Sequence, residues 1–136
     1  MEYKINEPIS VVQFVDVLER STLAERRPVQ DTQCMRGMVA NADILITAWD
    51  EGLLVGVARS VTDFHYVCYL SDLAVDSDYQ RRGIGRQLIR LTREQLEREC
   101  SIILLAAPAA NKYYAQIGFQ QNRRCWILPP ESVNQD

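Results

Sequence analysis

The chain has 136 residues, of which 47% are hydrophobic, and a formal net charge of -3 at pH 7. This length suits one folded domain over residues 1–136, and the mildly acidic balance argues against general binding to nucleic acid or to a membrane surface. Four dispersed cysteines and one histidine lack the close spacing of a zinc site, and no apolar run suits a signal peptide or a bilayer span, so we expect a metal-free cytoplasmic protein.

The first forty residues show the patterns of one short strand and two helices. Residues 3–5 have strand composition, and after Pro8 the apolar residues recur at helical spacing, at Val11, Phe14, Val15 and Leu18. A loop is expected over residues 25–28. A weaker helical pattern then predicts a second helix over residues 29–40.

The middle of the chain predicts a run of strands followed by a helix. Two β-branched runs flank Asp50, Glu51 and Gly52, which is the composition of a hairpin turn, and residues 65–75 form a third strand. The pattern becomes helical over residues 83–100. The unbroken apolar run SIILLAA at residues 101–107 is typical of a strand buried on both faces, which predicts a parallel crossover.

The C-terminal part predicts a short helix and a last strand. Pro108 suits the first turn of that helix, and Gly118 lies where a left-handed cap belongs. Residues 119–128 have an extended pattern, so we expect a final strand in which Trp126 and Ile127 end the sheet. Its apolar surface could be covered by a second copy, so a homodimer is one expectation and a monomer is the other.

The junction between the third strand and the next helix has the composition of an anion site. Gly83 and Gly85 permit a tight turn at a helix N-terminus, where unpaired N–H groups attract an anion. Arg81, Arg82 and Arg86 add forked donors that suit a pyrophosphate. No lysine follows Gly85, so a Walker loop is excluded, and a dinucleotide loop lacks its third small residue. The alternative is a plain turn with solvated arginines.

Two motifs resemble those of the GNAT (GCN5-related) N-acetyltransferases. LAVDSDYQRRGIGRQLI, residues 73–89, is similar to that family's motif A, with Gln80 through Gly85 as the Gln/Arg-x-x-Gly-x-Gly/Ala signature. YYAQIGF, residues 113–119, is similar to its Tyr-x-x-x-Gly-Phe motif, with Tyr114 four residues before Gly118. The resemblance covers almost the whole chain.

The resemblance implies an α/β fold whose central sheet is mostly antiparallel, with one splayed parallel strand pair and about four flanking helices. It also implies acetyl-CoA as the co-substrate, without a metal. The pantetheine arm would pair with the backbone of Leu73, Ala74 and Val75, and the pyrophosphate would contact the loop and helix start, at Arg81, Arg82, Gly83, Ile84, Gly85 and Arg86.

Acetyl transfer to an amine requires a base, an oxyanion donor and an acid for the leaving thiolate. By the resemblance, Tyr114 is the general acid and the Val75 amide is the oxyanion donor. Asp72, directly before the pantetheine segment, is a candidate base or else a strand-end residue that bonds backbone. His65 is further away and suits a turn. An asparagine common in the family is replaced by Ala107, and Asn111 either contacts coenzyme A instead or caps the short helix.

The acceptor is less defined by the sequence. The fold implied by the resemblance would place residues 25–28, Trp49, Tyr66 and Tyr69 near the acceptor. Acidic side chains there would suit a cationic amine, whereas Arg26 and Arg27 would suit a substrate that also carries carboxylate or phosphate. We therefore expect N-acetylation of a small-molecule amine. Acetylation of a protein lysine or N-terminus, and coenzyme A binding by a non-catalytic regulator, are the alternatives.

Overall fold

A computed structural model describes residues 1–131, and the chain divides into two units. The first unit, Met1–Leu105, contains a five-stranded sheet and three helices. The second begins at Ala106 and contains one short helix. The assignment of residues 1–136 to one domain stays a prediction. No helix within the described residues is long and apolar enough to cross a membrane.

The sheet is mixed, as predicted, with strands in the order β1-β2-β3-β4-β5. The strands are β1 (Glu2–Ile5), β2 (Ile44–Asp50), β3 (Leu53–Thr62), β4 (Val67–Val75) and β5 (Ser101–Ile103). The first four pair antiparallel, and β4 pairs with β5 in parallel. The predicted hairpin between β2 and β3 is confirmed, since Glu51 and Gly52 both have positive φ, as a tight two-residue turn requires.

Helices cover both faces of the sheet. In the first unit these helices are α1 (Val11–Ser21), α2 (Thr32–Ala40) and α3 (Ile84–Glu94), and the second unit contains α4 (Asn111–Gln116). Phe14 of α1 and Met35 of α2 share one apolar cluster with alternate residues of β2 and β3, and Leu88 of α3 shares the other. Strand β2 is therefore buried along almost its whole length, because it lies inside the sheet, between β1 and β3, and has a helix layer on each face.

Side-chain caps decide where the first two helices begin. Ser10 forms a complete capping box with Gln13 at the start of α1. Helix α2 begins at Thr32 and not at residue 29, because the Asp31 side chain accepts the Cys34 N–H at 3.0 Å. The loop expected over residues 25–28 begins inside a 3₁₀ turn, Leu23–Arg26.

The crossover after α3 differs from the prediction in two ways. Helix α3 ends at Glu94 and not at residue 100, because Arg93 donates to the Glu97 and Cys100 carbonyls and the Glu97 N–H bonds to Phe64. The predicted parallel crossover is confirmed, but the expected extent of its strand, residues 101–107, and the burial of that strand on both faces are wrong. Strand β5 has only three residues, Ser101–Ile103, with both ends exposed. The contacts of Arg93 and Glu97, and not helical periodicity, thus set the end of α3.

The second unit confirms the cap at Gly118 but not the last strand. Gly118 has φ +101°, and the Phe119 and Gly118 N–H groups bond to the Tyr114 and Ala115 carbonyls, as in a Schellman motif. No strand occurs at residues 117–131, and Trp126 and Ile127 are exposed. The prediction that these two residues end the sheet is wrong, because β1 and β5 are its outer strands. The homodimer stays a prediction without that support.

Gly56 of β3 allows α3 to lie close to the sheet. A Cβ atom at this position would stand 3.2 Å from side-chain carbons of Ile84 and Leu88, and 3.3 Å from Ala48. By contrast, a Cβ at Gly37 on α2 would meet nothing within 4 Å. Because Gly56 has no side chain, the start of α3, which is part of the predicted anion site, can pack directly against β3.

We expect Gly56→Ala to lower the free energy of unfolding by about 1–3 kcal/mol, because the added methyl overpacks the contact between α3 and the sheet. Gly37→Ala is the matched control and should stabilise the protein slightly, since alanine favours a helix. Denaturant unfolding of both variants measures the two effects. Equal stabilities would contradict the close approach at Gly56.

Candidate functional site

Strand β4 has a half that β5 does not reach. The parallel pairing consists of Val67 with Ser101, Cys68 with Ile102 and Tyr69 with Ile103, and no pairing follows within the described residues. The last residues of β4, including Leu73, Ala74 and Val75, pair only with β3. Their other edge therefore has backbone groups that an extended ligand arm can bond, as the predicted pantetheine contact requires.

The loop after β4 leads into an uncapped helix N-terminus. Gly83 is the N-cap residue with φ +80°, and no side chain of residues 1–131 caps α3. The first intrahelical bond joins the Gln87 N–H to the Gly83 carbonyl at 3.1 Å, so the N–H groups of Ile84, Gly85 and Arg86 have no intrahelical partner. These donors and the helix dipole together form a site for an anion.

Three arginines surround this helix start without an ion-pair partner. Arg81, Arg82 and Arg86 are exposed, and no carboxylate in residues 1–131 lies within 4.0 Å of their guanidinium nitrogens. Arg81 has φ +65°, an unfavourable conformation for a residue with a side chain. The Arg82 guanidinium carbon lies 4.9 Å from the centroid of the Tyr79 ring. Their positive charge is therefore available to a ligand.

Two polar tethers hold this loop to the sheet and to α1. Asp76 accepts hydrogen bonds from Arg20 of α1 and from the Asp78 N–H, and the Arg20 guanidinium also bonds the Leu54 carbonyl. Tyr79 donates to Asp50 at 2.6 Å. Sequence spacing gave no signal of these contacts, because Arg20 and Asp76 are 56 residues apart. The loop is thus positioned before any ligand binds.

Asp72 lies at a bulge in β4 and is held by two arginines. Arg59 pairs with Asp72 and Ser60 pairs with Leu70, so Ser71 is the extra residue. The Asp72 side chain is fully buried, and its oxygens lie 2.5 Å from the Nε atoms of Arg27 and Arg59. The two arginine contacts occupy one acceptor position on each carboxylate oxygen. The assignment of Asp72 as general base stays a prediction.

Tyr114 and Asn111 lie in the second unit, on α4. The Tyr114 ring makes edge-to-face contacts with Tyr113 and Phe119, at centroid distances of 5.3 and 5.5 Å. Burial raises the pKa of the Tyr114 phenol, and Tyr113 adds to the shift. The phenol is therefore protonated at neutral pH, as a general acid must be. Asn111 accepts a hydrogen bond from Gln121 at 3.4 Å, and its contact with coenzyme A stays a prediction.

The other residues predicted to lie near the acceptor have different environments. Tyr66 and Tyr69 are exposed on or before β4, whereas Trp49 is buried in the α1–α2 core and its indole N–H bonds Thr47. His65 is exposed in a turn, and its backbone N–H donates to the Asp63 side chain. No group of three or more metal-ligating side chains occurs in the part of the chain that the structure describes.

Comparison with known proteins supplies a family. The sequence profile of the acetyltransferase (GNAT) domain matches residues 41–121, more than half of the chain. The chain is 33% identical over 72 residues to GCN5-related N-acetyltransferase 2, chloroplastic, of Arabidopsis thaliana, covering 52% of this chain and 28% of that protein. The chain thus spans less than a third of the length of this relative.

Three solved structures share the fold at low sequence identity. A ribosomal-protein-alanine N-acetyltransferase from Brucella melitensis has a TM-score of 0.70 at 20% identity, covering 95% of this chain and 99% of that chain. An aminoglycoside acetyltransferase from an uncultured soil metagenomic sample has 0.67 at 18%, covering 96% and 95%. A predicted acetyltransferase from Clostridium acetobutylicum, with acetyl-CoA, has 0.71 at 20%, covering 94% and 95%.

Replacing Arg82 or Arg86 with Gln should weaken binding of acetyl-CoA roughly tenfold each, because each change would remove the predicted charge-assisted contact to a phosphate. Arg90→Gln is the matched control, since Arg90 lies further along α3 and pairs with Glu94. Calorimetric titration of the three variants measures the affinities. An equal loss in all three would indicate general charge attraction and not a site.

Asp72→Asn should lower the free energy of unfolding by about 3–5 kcal/mol, because it leaves two largely buried guanidinium groups without their carboxylate. Asp16→Asn removes an exposed partner of Arg20 and should cost less than about 1 kcal/mol. Denaturant unfolding compares them. If Asp72→Asn keeps its stability but loses the acidic limb of the pH–rate profile, Asp72 acts as the base and not as a structural anchor.

Proposed function

The chain belongs to the acetyltransferase (GNAT) family, and on that premise we propose that it transfers the acetyl group of acetyl-CoA to the primary amine of a small molecule. The observation that carries the coenzyme assignment is the start of α3, where N–H groups without an intrahelical partner lie beside three arginines that have no ion-pair partner in residues 1–131. A pyrophosphate offers several oxygens to such a set of donors. The edge of β4 beyond Tyr69 supports the pantetheine contact with Leu73, Ala74 and Val75.

The amine must attack the acetyl carbonyl in its neutral form. An alkylamine has a pKa of about 10.4, so it must lose a proton before or during attack, and we propose that Asp72 accepts this proton, directly or through water. The tetrahedral intermediate carries an oxyanion, for which we propose the Val75 amide as donor. When the intermediate collapses, the carbon–sulfur bond breaks and the thiolate of coenzyme A leaves. We propose that the phenol of Tyr114 donates a proton to this thiolate.

The class of acceptor distinguishes the proposal from its alternatives. The structural neighbours include enzymes named for a ribosomal protein and for aminoglycosides, so the shared fold serves both kinds of acceptor. A non-catalytic regulator would bind acetyl-CoA without turnover.

We also propose that the protein acts in the cytoplasm.

A direct test combines binding and turnover. Titration with acetyl-CoA is followed by assays of free thiol with a panel of small amines and with peptides that carry lysine or a free N-terminus. Thiol release with small amines but not with peptides supports the proposal. Release with peptides alone indicates a protein acetyltransferase. Tight binding with no release for any acceptor indicates a regulator.

Tyr114→Phe should lower kcat by about 100-fold or more, because the thiolate loses its proton donor, while the affinity for acetyl-CoA stays the same. In the wild type, activity that needs the protonated phenol is retained up to and beyond its ordinary pKa of 10.0, since burial raises that pKa. The alkaline limb of the pH–rate profile, which reports ionisation of this phenol, should be absent in Tyr114→Phe. Tyr113→Phe is the control for packing, and full turnover by Tyr114→Phe would remove Tyr114 from the mechanism.

A further inference from the structure

The Asp72 cluster, which consists of Arg27, Arg59, Ser71 and Asp72, carries more positive charge than its own carboxylate neutralises. Two guanidinium groups share the single carboxylate of Asp72, and no other carboxylate in residues 1–131 lies within 4.0 Å of either. The Arg59 and Arg27 side chains are 8% and 21% exposed. An uncompensated positive charge in such a place is costly unless an anion joins it.

The cluster also has hydrogen-bond donors to spare. Arg27 donates through Nη1 to the Arg26 carbonyl and through Nη2 to the Ser71 carbonyl, while Arg59 donates through Nη1 to Met38 and through Nη2 to the Ser71 hydroxyl. Each of these terminal nitrogens carries a second N–H. Paired N–H groups on planar guanidinium forks match the two oxygens of a carboxylate.

The cluster lies where the covered part of the sheet face ends. Ala74, two residues beyond Asp72 on β4, packs in the α1–α2 core, so Asp72 and Arg59 lie on the same face. Further along that face, Val61 and Tyr69 are paired across the strands and are 47% and 38% exposed. A ligand can therefore approach the cluster from the open part of this face.

We propose that Arg27 and Arg59, fixed by Asp72, bind a carboxylate of the acceptor, so that the acceptor is an amine that also carries a carboxylate, an α-amino acid in the simplest case. This inference rests on the proposed function, because Asp72 directly precedes the strand segment proposed to hold the pantetheine arm. One residue of strand spans about 3.4 Å, so a carboxylate held at the cluster leaves the amine of a short molecule near the acetyl group. Arg27 and Arg59 are specificity-determining residues in this arrangement.

The test uses matched acceptors that differ only at the carboxylate. Each of the common amino acids is compared with its primary amide, its decarboxylated amine and, where one exists, the aminoalkyl phosphate, with acetyl-CoA and detection of free thiol. We expect kcat/KM to be roughly tenfold or more higher for the acid than for its amide, the ratio that a charge-assisted contact provides. Arg27→Gln should reduce this ratio, and Arg27→Lys should restore it only in part, because lysine keeps the charge but not the fork.

Arg36→Gln, on the exposed side of α2 and without an ion pair in residues 1–131, is the control for overall charge and should leave the ratio unchanged. A purely structural role of Arg27 would lower the rates with acid and amide alike, so an unchanged ratio in Arg27→Gln overturns the inference. The inference is also overturned if amides, plain amines or phosphates are better acceptors than the acids, or if no acid is acetylated. Acetyl-CoA binding by calorimetry in the same samples shows whether the coenzyme site fails as well.

Discussion

The arrangement of the first unit depends on one ionic interaction. The fully buried carboxylate of Asp72 binds two guanidinium groups. It joins Arg27, in the segment before α2, to Arg59 on β3 and to the bulge of β4. Arg59 extends the connection to α2 through the Met38 carbonyl. A buried ion pair adds little net stability over apolar packing, but it holds its members in one geometry when alternatives would leave a charge unpaired. The segments around the proposed acceptor are therefore positioned by charge.

A second set of polar contacts serves the loop between β4 and α3. Arg20, Asp76, Tyr79 and Asp50 connect this loop to α1 and to the end of β2, and Gly56 lets α3 lie against the sheet. Arg81 has a φ of +65°, a strained backbone conformation that persists only where the surrounding contacts fix it. The free N–H groups at the start of α3 thus have a defined direction, which lowers the entropic cost of binding a pyrophosphate.

Six of the arginines form two groups with different tasks. Arg20, Arg27 and Arg59 each bind a carboxylate and hold segments of the first unit together. Arg81, Arg82 and Arg86 have no such partner in the described residues and surround a helix N-terminus. A chain with a net charge of -3 can in this way present local positive sites without general affinity for polyanions. The Asp72 cluster combines both tasks, because its two arginines exceed its one carboxylate.

The sequence by itself determined the features that depend on neighbouring residues. The α1 pattern, the hairpin at Glu51 and Gly52, the glycine turn before α3 and the cap at Gly118 all follow from local conformational preferences. Only the tertiary structure decided where α3 and β5 end, that no strand includes Trp126, and that Asp72 is bound by two arginines. Two of these outcomes involve partners that are distant in the sequence: the Phe64 carbonyl that bonds the Glu97 N–H after α3, and Arg27 and Arg59 beside Asp72. Spacing and periodicity carry no record of such partners, because the free energy of these contacts arises only when the chain has folded.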